Sequence, residues 1–93
     1  MTQLNKFIDG AFTATGQSVS SAAKQGSMAV SVSGVWVGTI DLEWSFDGGS
    51  TFIQYASYTA PTNFVLDCPS GGIHWRFNCT AYTSGTIDYL LAG

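Results

Sequence analysis

Residues 38–55 constrain the fold more than any other part of the sequence, because they predict two strands joined by a turn. Apolar and polar residues alternate here with the period of a strand that has one buried and one solvated face. The apolar positions are Ile40, Leu42 and Trp44, and the polar positions are Asp41, Glu43 and Ser45. Asp47, Gly48 and Gly49 follow, and glycine reaches positive φ without a Cβ clash. The stretch therefore predicts a β-hairpin.

The turn matches the S-x-D-x-G-x-T-[WF] pattern of an Asp-box, which sialidases repeat on several propeller blades in a mostly structural role. We expect the Asp47 carboxylate and the Thr51 hydroxyl to accept hydrogen bonds from turn N–H groups, and Phe52 to pack beneath. One copy in a chain too short for a propeller predicts a structural turn and no glycosidase. The residues assigned to this turn are Ser45, Asp47, Gly48, Gly49 and Thr51.

Short segments of similar alternation, separated by turn residues, run through most of the chain. One of them is 27–33, with Met28, Val30 and Val32 on one face. The most regular one is 73–81, and residues 63–68 are expected to be its hairpin partner across a four-residue loop. Residues 20–25 predict one helical turn at most. Seven or eight short strands predict an all-β fold, a two-sheet antiparallel β-sandwich of the Ig-like or jelly-roll kind.

The first ten residues differ from the rest because they show no clean period and end in the turn signal Asp9-Gly10. Leu4, Phe7 and Ile8 have no obvious face to pack on within the chain. Such a segment is either a frayed terminus or a docked arm, and we favour an extended N-terminal arm over 1–10 that docks on another protein. One β-sandwich domain is expected to follow over 11–93.

Charge and hydropathy exclude several classes of function. Charged residues make up only 10% of the chain, against about 25% in typical soluble domains, which favours a surface partly covered by partners. The net charge is -3 and no basic stripe exists, so we expect no nucleic-acid partner. No signal peptide and no apolar run of about 20 residues are present, so we expect no membrane partner.

The residues capable of chemistry are few and scattered. Cys68 and Cys79 are expected to lie about 20 Å apart along a hairpin, at about 3.4 Å per residue, and so to be buried thiols that form no disulfide. A disulfide across two packed sheets stays open as the alternative. His74 stands beside Arg76 on the polar face, with no base partner or nucleophile, and is expected to be a surface histidine. We therefore expect no catalytic residue, no metal site and no cofactor.

The acids on the strands and the aromatic residues outside the core pattern also have a predicted degree of exposure. The acids on outward strand faces are expected to be solvated, and these are Asp41, Glu43, Asp67 and Asp88. Trp36 and Tyr82 do not follow the core parity, so we expect them at an interface. Phe52 is expected to be buried.

Three segments resemble small structural proteins of tailed bacteriophages. They are G-x-F-T-A-T-G-Q-S at 10–18, G-T-I-x-L-E-x-S-x-D-G-G-x-T-[WF] at 38–52 and R-x-x-C-T-x-Y-T-S-G-T-[IV]-x-Y at 76–89, and together they cover nearly half the chain. The resemblance implies a virion protein made in the host cytoplasm, and within this class a capsid decoration or cement protein. Its partners would be the major capsid protein or neighbouring virion subunits, and it would be a homo-oligomer.

A second class of function fits the same fold. A carbohydrate-binding or adhesin-like module of a phage tail or spike would use Trp36, Tyr58 and Tyr82 as a platform for sugar rings. It would bind glycans without the N-terminal arm.

Overall fold

The computed structural model describes residues 6–22, 26–68 and 71–92, and these form two antiparallel sheets packed face to face. No helix occurs among the described residues. The strands are β1 (Lys6–Phe12), β2 (Gly16–Gln17), β3 (Ser21–Ala22), β4 (Gly26–Ser33), β5 (Trp36–Ser45), β6 (Ile53–Tyr58), β7 (Thr62–Cys68), β8 (His74–Gly85) and β9 (Ile87–Ala92).

The strand order defines the architecture. Sheet A has the order β1-β9-β4-β7, and sheet B has the order β2-β8-β5-β6, with β3 also paired to β8. This is the strand order of a jelly roll. The predicted all-β antiparallel sandwich is confirmed, with nine strands among the described residues where seven or eight were expected.

Strand pairing is nested around a single turn. β5 pairs with β6, β4 with β7, β2 and β3 with β8, and β1 with β9. In each of these pairs the partners lie at nearly equal distances in sequence on either side of Gly48 and Gly49. The chain is therefore one long hairpin that is folded over on itself, and the predicted hairpin at 38–55 is its innermost part.

One predicted pairing is wrong. Residues 63–68 and 73–81 were expected to form a hairpin, but β7 pairs with β4 in sheet A and β8 pairs with β5 in sheet B. Alternation reveals which face of a strand is buried but carries no information about its partner. Where two apolar faces must cover each other, a connection between sheets is as acceptable as a tight hairpin.

The core lies between the two sheets and follows the predicted alternation. Fully buried apolar residues recur at every second position from 28 to 32 in β4, at 40 and 42 in β5 and from 75 to 79 in β8. They include Met28, Val30, Val32, Ile40, Leu42, Trp75, Phe77 and Cys79. Cys68 and Cys79 are buried on different sheets and form no disulfide, which confirms the prediction of two buried thiols. The distance argument behind it fails, because β7 and β8 are not a hairpin.

The predicted arm requires a correction. Residues 6–10 belong to β1, which pairs with β9 along its length. Ile8 is 2% exposed and lies in the core, and Phe7 is partly buried against it. Residues 6–12 show no simple period because a register irregularity separates Lys6 from Ile8. Leu4 and the first half of the predicted arm lie outside the described residues.

Glycine is required where β8 meets the start of β5. Gly85 has a φ of 94°, and a Cβ placed on it would lie 2.6 Å from Trp36 Cα and clash with the Val35 carbonyl oxygen. Gly48 has a φ of 76°, and a Cβ placed on it would meet no atom within 4 Å. The two sites thus separate the cost of a backbone clash from the cost of positive φ.

We expect Gly85→Ala to lower the free energy of unfolding by about 3 kcal/mol, since it adds a backbone clash to the positive φ. Gly48→Ala is the matched control and should cost only about 1 kcal/mol. Urea denaturation of both variants measures the difference. Equal losses would contradict the close approach at Gly85.

Candidate interaction surface

The turn over 46–52 is organised by one carboxylate. Asp47 Oδ1 accepts hydrogen bonds from the N–H groups of Ser50 (3.1 Å) and Thr51 (2.9 Å) and from the Ser45 hydroxyl (2.6 Å). Ser45 Oγ in turn accepts from the Gly49 N–H at 3.0 Å. The expected bonds from the turn N–H groups to Asp47 are therefore present, and each donor lies within four residues of its acceptor.

These bonds favour the ionised form of Asp47. The Ser45 hydroxyl, followed by the Thr51 N–H, lowers the pKa of this exposed carboxyl from its ordinary value of 3.8 to about 2. The carboxylate is thus fully charged at neutral pH, and its charge is directed at the turn backbone.

Ser45 and His74 are directly opposite each other in the ladder between β5 and β8, with Asp47 nearby. Their arrangement differs from a catalytic triad in two respects. The Ser45 hydroxyl donates to Asp47, whereas a nucleophilic serine would donate to the imidazole. Ser45 is also completely buried, so no substrate can reach its oxygen. These residues therefore hold the turn against sheet B.

His74 is half-buried, and its position corrects the expectation of a surface histidine. A Cβ on Gly49 would lie 3.4 Å from His74 Nδ1, so the turn backbone packs against the imidazole ring. Nδ1 is buried, and no described residue forms a hydrogen bond with it. His74 is therefore part of the packing beneath the turn.

The outer face of sheet B carries a largely buried ion pair where solvated acids were expected. Arg76 Nε donates to Glu43 Oε1 at 2.6 Å, and Asn78 Nδ2 donates to Glu43 Oε2 at 3.1 Å. The Arg76 guanidinium stacks on the Phe52 ring, with Cζ 4.0 Å from the centroid. Phe52 is accordingly half-buried.

The expectation that Asp41 and Glu43 are solvated is wrong, whereas Asp67 and Asp88 are exposed as expected. β5 is an inner strand of sheet B, so long side chains from its neighbours cover its outer face. Alternation separates the two faces of a strand but does not distinguish an inner strand from an edge strand.

An aromatic cluster reaches the surface where β5 enters the turn. Trp44 contacts the rings of Phe46, Tyr55 and Trp75, with centroid distances of 4.9, 4.7 and 5.3 Å. Trp75 is buried in the core, Trp44 is half-buried, and Phe46 and Tyr55 are 63% and 40% exposed. The cluster of Trp44, Phe46, Tyr55 and Trp75 thus anchors two exposed rings on a buried one.

Sequence reasoning did not identify Phe46 and Tyr55 as exposed. Phe46 stands two residues after Trp44, so the alternation could have placed the Phe46 ring on the same face of the sheet as the Trp44 ring. Tyr55 could not be found in this way, because β6 contains a bulge opposite Leu42 and Glu43 that changes the parity at Tyr55.

The aromatic residues predicted at interfaces have different surroundings. Trp36 is buried in the core, with no described acceptor for its Nε1 group, which corrects its assignment to an interface. Tyr82 is half-buried, and its hydroxyl donates to the Gly85 carbonyl at 2.7 Å. Tyr58 packs against Phe64, and burial raises its pKa. Trp36 therefore cannot contribute a ring to the sugar platform that was considered above.

The described residues show no other feature of a ligand-binding site. These residues form no pocket. Within 6–22, 26–68 and 71–92, no three His, Cys, Asp or Glu side chains come together as a metal site would require. No helix in this part of the chain is long and apolar enough to cross a membrane.

Comparison with known proteins gives no match: no family model, curated protein or solved structure is similar to this chain at a significant level.

The low pKa of Asp47 predicts a pH-dependent contribution to stability. Because this pKa is lowered on folding, the contribution is fully present above the ordinary value of 3.8 and is lost as the pH falls toward about 2. We expect the urea midpoint of Asp47→Asn to fall less over this range than that of the wild type. Parallel curves for the two proteins would contradict the prediction.

Removal of Arg76 from the ion pair should lower the free energy of unfolding, and a second substitution at Glu43 should restore part of it. Arg76→Met leaves a mostly buried Glu43 carboxylate with Asn78 as its remaining partner, and should cost about 2–3 kcal/mol of unfolding free energy. The control Glu43→Gln/Arg76→Met carries no charge at either position of the pair and should be more stable than Arg76→Met. Urea denaturation measures both, and the opposite order would contradict the prediction.

Proposed function

We propose that this chain is a structural protein of a bacteriophage virion, a capsid decoration or cement protein that binds the major capsid protein and stabilises the head. The three segments at 10–18, 38–52 and 76–89 that resemble phage structural proteins suggest this class. Jelly rolls recur in viral capsid proteins and also in lectins, so the architecture is compatible with it but does not select it.

The observation that carries the proposal is the exposure of Phe46 and Tyr55 in the aromatic cluster. Both rings rest on Trp44, and Tyr55 also contacts the buried Trp75, so they lose little freedom on binding. Aromatic residues held in this way are typical anchors of protein interfaces. The low charged fraction of the chain is consistent with such a surface.

This assignment changes the residues proposed to touch the capsid. Ile8 and Trp36 lie in the core, and Phe7 and Tyr82 are half-buried, so none of them offers a full side chain to a partner. The removal of residues 1–10 would also remove most of β1. The test of capsid binding therefore uses single substitutions on the surface.

Phe46→Ser should reduce binding to heads without unfolding the protein, because Phe46 is 63% exposed. The measurement is co-sedimentation with heads of the encoding phage that were assembled without this protein. Wild type should saturate at a fixed number per capsomer, and Phe46→Ser should bind at least about tenfold more weakly.

Val35→Ser is the matched control, because Val35 is 89% exposed in the connection between β4 and β5 and outside the aromatic cluster. It should bind as wild type does. Failure of the wild type to sediment with heads would contradict the proposal.

The carbohydrate-binding alternative is favoured by the same exposed rings, since aromatic faces also stack on sugars. The Phe46 and Tyr55 rings are tilted by 54° and 80° to Trp44, so the cluster does not form one flat platform. Glycan-array binding by the wild type that Phe46→Ser abolishes, together with no sedimentation on heads, would favour this alternative.

A further inference from the structure

The edges of the two sheets are not equally protected against pairing with another strand. Among the described strands, sheet A ends at β1 and β7, while sheet B ends at β6 and at β2 with β3. Charged residues, proline and short length are the usual protections of an edge. β1 contains Asp9, β7 contains Asp67, and β2 and β3 have two residues each.

β6 has none of these three protections, and the one further edge feature that it carries is the bulge opposite Leu42 and Glu43. It is six residues long, with the sequence Ile-Gln-Tyr-Ala-Ser-Tyr, and contains no charged residue and no proline. Two of its apolar side chains are exposed, since Ile53 is 55% and Tyr55 is 40% accessible. An uncharged edge with exposed apolar side chains is a site for strand pairing.

The register with β5 shows which face each β6 residue occupies. Ile53, Ala56 and Tyr58 lie opposite Trp44, Leu42 and Ile40, so they share the inner face of sheet B. Gln54 and Ser57 lie opposite Glu43 and Asp41, on the outer face. Tyr55 is the extra residue of the bulge, and its ring packs on Trp44 and Trp75 at the inner face.

This pattern reads the same in both directions: inner, outer, inner, inner, outer, inner. Residues that lie directly opposite each other in an antiparallel pair must point to the same face of the sheet. In two copies of a strand without a bulge, a two-fold axis between the third and fourth residues would pair inner-face residues of one copy with outer-face residues of the other. The bulge removes this conflict. Antiparallel pairing about that axis places Gln54 opposite Ser57, Ile53 opposite Tyr58 and Tyr55 opposite Ala56 of the second copy.

We propose that β6 pairs with β6 of a second copy of this chain, in that register, and joins the two B sheets into one. A two-fold interface requires a patch that is complementary to itself, and the palindromic pattern of β6 meets this requirement. A different partner strand would not require the palindrome. The pairing also shields Ile53 and Tyr55, and it does not rest on the virion assignment.

The test uses two double variants with the same number of substitutions at exposed positions. Gln54→Lys/Ser57→Lys places lysines opposite each other twice across the axis, and should raise the dimer dissociation constant at least about tenfold. Gln54→Lys/Ser57→Glu places opposite charges there, and should keep the dimer. Sedimentation equilibrium up to about 1 mM protein, where weak pairing is populated, gives the masses.

The proposal is supported by a wild-type dimer that the lysine pair dissociates and the lysine–glutamate pair retains. A monomeric wild type over the whole range, or any other pattern of masses, overturns it. Thermal melting shows whether both variants fold. If either does not, hydrogen exchange of the wild type decides: the amides of 53–58 should exchange more slowly at high concentration, and unchanged exchange there overturns the pairing.

Discussion

The structure depends on the turn between β5 and β6. There Asp47 accepts hydrogen bonds from two backbone N–H groups, and two glycines adopt positive φ. Each further pair of strands joins residues that are more distant in sequence. Forming such a pair costs more chain entropy unless the pair inside it has already formed. A turn with its own local hydrogen bonds sets the register of β5 on β6. The β4–β7, β2/β3–β8 and β1–β9 pairs extend outward from it.

Much of the fold could be predicted because a two-residue period is a local signal. It identified β4, β5, β7 and β8 and the buried side of each. Partner choice could not be predicted, because β7 and β8 satisfy the same alternation whether they share a sheet or face each other. Burial of Asp41 and Glu43 was missed for a similar reason, since it depends on the strands on either side of β5.

The candidate surface shows the same division between local and non-local information. Asp47 was identified as the centre of its turn because its hydrogen-bond partners lie within four residues of it. Tyr55 was missed because its orientation depends on a bulge, and Trp36 was misassigned because it lies just after a break in parity at Gly34. The bulge in β6 thus places Tyr55 in the aromatic cluster and also produces the palindromic edge.

The nested pairing also has a consequence for synthesis on the ribosome. Of the described strands, β1 is made first and its partner β9 is made last, so Ile8 and Phe12 cannot reach their native neighbours until nearly all the strands have been translated. The β5–β6 hairpin can close when little more than half of the chain exists. Folding during translation would therefore begin in the middle of the chain, and apolar side chains near its start would wait longest for their native contacts.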